Sequence, residues 1–258
     1  MKDAKIAIGG KGGVGKTTVS AIWAQLITQD GFDVLAIDAD PNPNLASAFG
    51  IAPEQSPEPL IRMKDLIAER TGTKKDAVGV YFTLNPKVSD LPEQYWYETN
   101  DVKILVLGAI TQAGGGCACP EGAFLKALLT HTILQRDEVV LVDLAAGVEF
   151  MGRASVQGID ALVLIVEPGS RSIETTVNMA QMAKKLGIKR VGAIANKVTE
   201  AQQIEVIRSQ LGDVILLGTL KYSKLLQQAD LNRAAVFRAD AEITEELKKA
   251  KDRLTKLL

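Results

Sequence analysis

Residues 5–18 read KIAIGGKGGVGKTT, and the reading of this stretch decides the fold. A short apolar run, Lys5–Ile8, leads into glycines, and Gly10-Lys11-Gly12-Gly13-Val14-Gly15-Lys16-Thr17 fits the pattern G-x-x-x-x-G-K-[ST] between a strand and a helix start. Glycines let the backbone wrap an anion with its N–H groups turned inward. The N-terminus of the following helix adds the positive end of its dipole. The expected phosphate-binding residues are therefore Gly10, Lys11, Gly12, Gly13, Val14, Gly15, Lys16, Thr17 and Thr18. Lys16 is expected on the β- and γ-phosphates of a nucleotide, with Thr17 reaching magnesium. A glycine-rich turn without a ligand is the alternative; agreement at every motif position and on both flanks weighs against it.

Outward from this loop, apolar runs alternate with amphipathic stretches. The runs are Lys5–Ile8, Asp33–Ile37, Val102–Leu107, Val139–Val142, Ala161–Val166, Val191–Ala195 and Val214–Leu217. They are rich in β-branched residues and nearly continuous, as strands buried on both faces should be. Helical patterns cover Lys16–Asp30, Pro120–Leu134, Ile173–Leu186 and Thr199–Leu211. The alternation predicts an α/β fold, a mostly parallel twisted sheet with helices on both faces, in one domain over residues 1–258. Ile51–Asp101 is the least regular part and reads as an insertion or a cap over one edge. Asp240–Leu258 reads as an amphipathic helix whose acidic residues lead and whose lysines follow, in keeping with the helix dipole.

In an open parallel sheet the ligand sits beyond the carboxyl ends of the strands. Asp38 and Asp40 follow one strand and Asp143 ends another. Magnesium prefers hard oxygen ligands and keeps several waters, so Asp143 and Thr17 are its expected protein contacts, with Asp38 supporting the metal's waters. Turn formation and helix capping are the competing roles for Asp38 and Asp40, and Asn44 is the expected cap of the next short helix. Asn196 ends a further strand.

Gly114-Gly115-Gly116-Cys117-Ala118-Cys119-Pro120-Glu121 carries both cysteines of the chain. Proline followed by glutamate marks a helix start, which puts Cys119 at the helix N-cap, a position that favours a thiolate. In an extended segment Cys117 and Cys119 point the same way. They cannot complete a tetrahedral metal site alone, and the single histidine, His131, lies about three turns along the helix. A symmetric dimer would supply the same pair again on its two-fold axis. Small buried residues, or one stray redox thiol, are the alternatives.

The loop with Lys11 resembles the deviant Walker A loop of the MinD, ParA and nitrogenase-iron-protein ATPases. That resemblance implies ATP or ADP with Mg2+ as ligands, and a homodimer in which Lys11 reaches the partner's nucleotide; a solvated surface lysine is the alternative. It also implies catalytic roles for Lys11, Lys16 and Asp40, with Asp40 positioning the attacking water. Gly147 matches the glycine whose N–H senses the γ-phosphate, and Asn196 the asparagine that contacts adenine. One departure is Lys221, where the family usually has a proline near the base.

The deviant loop, the C-x-C before a helix, Met63-Lys64-Asp65, Leu84-Asn85-Pro86-Lys87-Val88, Asp143-x-x-Ala146-Gly147-x-Glu149 and Asn196-Lys197-Val198 together resemble the CooC family, over nearly the whole chain. These are ATPases that help insert nickel into carbon monoxide dehydrogenase. The resemblance implies a metallochaperone whose Cys117 and Cys119 bind Ni2+ or Zn2+ between subunits, with ATP driving dimerisation. A sister group, AcsF, serves acetyl-CoA synthase by similar means, and these residues do not separate the two.

Bulk properties narrow the alternatives. The 258 residues are 47% apolar and carry a net charge of −1, which argues against a broad nucleic-acid footprint. No apolar run reaches the roughly 18 residues of a membrane span, and the first residues lack a secretory pattern. A cytoplasmic location is expected, where paired cysteines bind metal or do redox work more often than they form disulfides. A partitioning ATPase of the MinD or ParA type would rest on the basic tail Leu247–Leu258, although the acidic residues leading that helix favour packing on the sheet. An iron–sulfur protein holding a cluster across a dimer is the third reading.

Overall fold

The structure is a computed structural model that describes residues 1–73, 81–109, 120–134, 137–146 and 158–258. Its centre is an eight-stranded sheet in the order β3-β4-β2-β5-β1-β6-β7-β8. β1 (Lys5–Gly10), β2 (Val34–Ala39), β5 (Val139–Leu144) and β6 (Ala161–Val166) have every residue buried. They pair in parallel with one another and with the outer strands β4 (Val102–Val106), β7 (Arg190–Val198) and β8 (Ile215–Lys221). All seven expected runs are strands. Burial on both faces explains their unbroken apolar character.

The eighth strand, β3 (Tyr97–Thr99), has no counterpart among the expected runs. It pairs antiparallel with β4 in the register Thr99↔Val102. Asn100 and Asp101 turn the chain with φ of 48° and 60°, the pair of positive values that a two-residue hairpin of matching twist requires. The irregular stretch Ile51–Asp101 thus ends by adding an antiparallel edge strand. Its helix α3 (Lys64–Thr71) packs against α5 (Pro120–Leu134).

Helices cover both faces. On one side α1 (Lys16–Gln29), the short α2 (Leu45–Ala48) and α9 (Ala241–Thr255) share a core around Trp23, Ile22, Ile104, Leu217 and Leu247. On the other, α5 and α6 (Ser170–Lys185) close over Leu35, Ile37, Leu105, Val140 and Leu162, with Phe124, Leu128 and Met179 as their buried side chains. α7 (Ala201–Gln210) packs along β7. Three short helices, α3, α4 (Leu91–Tyr95) and α8 (Lys224–Leu231), match none of the helical patterns in the sequence.

The C-terminal helix belongs to the body of the protein. Asp240 caps it through Oδ1, which accepts from the N–H groups of Glu242 and Ile243. Ile243, Leu247, Ala250 and Leu254 are buried. Trp23 Nε1 donates to Leu247 O at 3.0 Å, Arg253 donates to Leu217 O at 2.7 Å, and the buried Lys251 pairs with Asp30. The apolar face that a surface-seeking tail would need is spent on α1 and β8. Among the described residues no helix is long and apolar enough to cross a membrane.

This packing predicts that Leu247→Ala destabilises the chain by about 3 kcal/mol, the range for truncating a fully buried leucine. Urea unfolding measures it; a change under about 1 kcal/mol would mean that α9 is not docked as described.

Candidate functional site

The strands β1, β2, β5, β6 and β7 all end at one edge of the sheet, and those of the expected phosphate-site residues that are described gather there. Gly10 closes β1 beside Ile165 of β6. Its φ is 143°, and a Cβ there would stand 2.5 Å from Ile165 O, so only glycine fits. Gly15, with φ of 98°, occupies the N-cap of α1; a Cβ there would meet Asn196 Nδ2 at 2.5 Å. Gly12 and Gly13 are exposed and Lys11 is half-buried, while Val14 is buried. Thr17 and Thr18 lie in the first turn of α1, where helix amides point toward the loop.

Lys16 is buried, and its Nζ donates to Lys11 O at 3.3 Å across the loop. Burial pushes its ammonium below the ordinary lysine range, opposed by the nearby Asp143 and Asp40 carboxylates. A desolvated cation folded back over its own loop is held where an anion would neutralise it.

Asp143 and Asp38 are paired positions on adjacent strands, in register across β5 and β2. Both are buried. Asp143 Oδ2 accepts from Thr17 Oγ1 at 2.6 Å. Its Oδ1 is buried and, among the described residues, has no hydrogen-bond partner. Burial, and next the charge of Asp38, push this carboxyl up to about 7, while the Thr17 hydroxyl, Lys16 and the nearby Ser20 hydroxyl pull the other way. A buried carboxylate oxygen without a donor is the feature a cation would complete.

Asp38 is arranged differently. Oδ1 accepts from Asp40 N at 3.1 Å, and Oδ2 accepts from the amides of Asn44 and Leu45, each at 2.8 Å. Burial raises its pKa against the pull of these amides. Both oxygens shape the turn that follows β2, which is the capping role. Asn44 stands at the N-cap of α2 as expected, yet its side chain makes no cap; it donates to Asn42 O, and Asp38 serves the helix start instead. Asp40, half-buried, accepts from Asn42 N at 2.9 Å and lies near enough to Lys16 to act on it electrostatically.

Asn196 reaches the loop as well. Its Nδ2 donates to Val14 O at 2.8 Å, and its Oδ1 accepts from Lys197 N at 2.8 Å. Lys197 Nζ donates to Gly13 O at 2.5 Å and pairs with Glu167 at 3.4 Å. Lys197 and Glu167 are not among the expected site residues. Lys197 lies within the quoted Asn196-Lys197-Val198 motif, which by itself assigns it no role, and Glu167 has no signal in the sequence. Lys221 ends β8 and pairs with Glu242 on the surface. Gly147, Cys117 and Cys119 lie outside the described residues. Among the described residues no group of three or more His, Cys, Asp or Glu is placed to hold a metal ion.

A glycine loop, a buried lysine and a strand-end carboxylate at the switch edge of a parallel sheet define a phosphate-binding nucleotide site of the P-loop class. Residues 5–236 match the CobQ/CobB/MinD/ParA nucleotide binding domain, and the chain belongs to that family, within it to the CooC branch. It is 41% identical to the carbon monoxide dehydrogenase accessory protein CooC of Rhodospirillum rubrum over 88% of this chain and 86% of that protein. It is 39% identical to an uncharacterised ATP-binding protein of Methanocaldococcus jannaschii, over 98% of each. The septum site-determining protein MinD of Pyrococcus horikoshii, solved with Mg-ADP, superposes with a TM-score of 0.71 over 98% of this chain and 96% of that one at 20% identity. That likeness is one of fold.

The raised Asp143 value fixes a pH dependence. The folded, metal-free chain holds this proton more tightly than the unfolded chain does. Its stabilising contribution is complete below the ordinary value of 3.8 and is lost as pH rises through about 7. Asp143→Asn has no proton to lose. Relative to wild type it should gain stability between pH 5 and pH 8, by at most about 3 kcal/mol, since only the two or so pH units between 5 and about 7 contribute, at about 1.4 kcal/mol each. Urea unfolding in a chelator at both pH values tests this; an offset between variant and wild type that is the same at both would contradict the buried, proton-holding carboxyl.

Proposed function

We propose that this chain is an ATP-hydrolysing metallochaperone that assists nickel insertion into carbon monoxide dehydrogenase, working as a nucleotide- and metal-dependent homodimer. The observation that carries the ATPase reading is the buried Asp143 with one oxygen bonded to Thr17 and the other without a hydrogen-bond partner among the described residues, beside Lys16. The likeness to CooC over most of both chains supports the client assignment.

The donor set suits a hard divalent cation, and Thr17 and Asp143 are the residues that would hold magnesium, directly or through water. When bound, it supplies neutralisation of the β- and γ-phosphate oxygens. The chain's own groups do the rest. Loop amides and Lys16 hold the polyphosphate and offset charge as the bond to the γ-phosphorus breaks. Asp40 orients the water whose oxygen bonds to phosphorus, ADP leaves with the bridging oxygen, and the proton passes to the products. Lys11 of the partner subunit would add charge to the same phosphates. Phosphoryl transfer asks mainly for this positioning and electrostatic support.

Cys117 and Cys119, met by the same pair from a second copy, would form a tetrahedral site for Ni2+ or Zn2+ as cargo. Coupling follows if nucleotide and metal both favour the closed dimer, because each then tightens the other's binding. Acetyl-CoA synthase is the alternative client. The packing of α9 on α1 and β8 counts against a membrane- or DNA-partitioning role that uses this helix.

Lys16→Ala should abolish measurable calorimetric binding of Mg·ATP, and wild-type-like heat from that variant would sink the phosphate assignment. Nickel or zinc titrated into the wild type should saturate at about one ion per dimer, as a single tetrahedral site requires, and the double variant Cys117→Ser, Cys119→Ser should bind none. Equal stoichiometry in both would refute the cargo site. Brown protein with iron and sulfide after anaerobic purification would replace it with a cluster.

A further inference from the structure

Three carbonyls of the phosphate loop are each held by a side-chain donor. Lys11 O accepts from Lys16, Gly13 O from Lys197 and Val14 O from Asn196. Turning a loop's carbonyls outward is the complement of turning its N–H groups inward, where an anion is bound. Two of the three donors, Asn196 and Lys197, come from the end of β7, far away in sequence.

The backbone there is built to deliver them. β7 pairs with β8 at Ala195↔Thr219 and next at Val198↔Lys221, so two residues face one. This is a bulge, a device that re-aims side chains at a strand end. Lys197 adopts φ of 58°, a left-handed conformation that a lysine enters at a cost and that glycine would take freely. Lys197 N donates to Asn196 Oδ1, which fixes the amide so that Nδ2 faces Val14 O. Glu167, at the end of β6, pairs with the ammonium that holds Gly13 O. Strain kept in place by converging bonds at a ligand loop points to a function for the strained residue.

We propose that Lys197 is a positioning residue for nucleotide binding: with Asn196 and Glu167 it latches the carbonyls of Gly13 and Val14 and so pre-sets the phosphate loop. The latch rests on the nucleotide-binding reading. It acts by holding the free loop in its binding form, so its loss lowers affinity without unfolding the protein. It also leaves Asn196 with one N–H and part of Oδ1 for contact with a base.

The test uses the full-length protein and two variants, Lys197→Gly and Lys197→Arg. Lys197→Gly removes the latch and the strain together. Its nucleotide-free melting temperature should equal or exceed that of the wild type. Its affinity for Mg·ADP, by calorimetry, should fall about 10-fold, in keeping with the loss of one charge-assisted hydrogen bond. Hydrogen exchange at the amides of residues 12–16 should quicken in the nucleotide-free protein while the sheet is unchanged. Lys197→Arg, which keeps charge and donors, should recover most of the affinity. Glycine-variant affinity within two-fold of wild type, or unchanged exchange in the loop, would overturn the latch, and a lower melting temperature would overturn the strain on which it is argued. A wild-type chain that fails to bind Mg·ADP would overturn the nucleotide reading and the latch with it.

Discussion

The pairing of Asp143 with Asp38 across β5 and β2 is the constraint around which the phosphate end is organised. Two carboxyl groups in neighbouring register positions, both excluded from water, repel each other and lose hydration together. The fold treats them unequally. Asp38 collects three backbone amides, which offset part of the cost of burying its charge. Asp143 accepts from the Thr17 hydroxyl, with the Ser20 hydroxyl near enough to favour its charge, and its Oδ1 has no hydrogen-bond partner among the described residues. The first carboxylate is satisfied by backbone amides; the second has an oxygen that no described residue satisfies. The same strand ends thus hold one aspartate bound into a turn and one that the proposed function assigns to magnesium.

From that pair the remaining geometry follows. β1 runs beside β5, so the loop leaving β1 must pass over Asp143, and α1 begins where Thr17 can reach it. β6 flanks β1 on the other side and crowds Gly10, which is why the turn there excludes a side chain. β7 is the next strand out, and its end supplies the donors for Gly13 and Val14. A loop of glycines is floppy by composition. Here its shape is set from three strand ends, which replaces the rigidity that its own residues lack.

Much of this is legible in the residues and some is not, for physical reasons. Strands buried on both faces write themselves as unbroken aliphatic runs, so all seven parallel strands can be read directly. The phosphate loop is equally plain because its chemistry dictates residue types at fixed spacing. β3 is hidden because three residues carry no periodicity; its real signature is the Asn100-Asp101 turn, a pair that accepts positive φ. Asp38 reads toward the metal because strand-end position alone cannot tell a ligand from a cap. The difference lies in which amides the next seven residues bring back, a matter of tertiary geometry. Lys197 escapes for the same reason: its place depends on a bulge in the pairing of β7 with β8, which no local pattern announces.

The exposed side of the loop bears on how such a chain would work. Gly12 and Gly13 face solvent, and Asn42 beside Asp40 is exposed. A polyphosphate seated here would be held by the N-terminus of α1 and by Lys16, and among the described residues its far side would face water. Electrostatic stabilisation of phosphoryl transfer weakens in high dielectric and strengthens when water is excluded. A single chain is therefore well made for holding a nucleotide and poorly made for cleaving it. A second copy laid over this opening would exclude water and add a cation to the same oxygens. On that argument the proposed dimer is the catalytic unit, and hydrolysis is slow until whatever favours the dimer, nucleotide or cargo metal, has brought the two faces together.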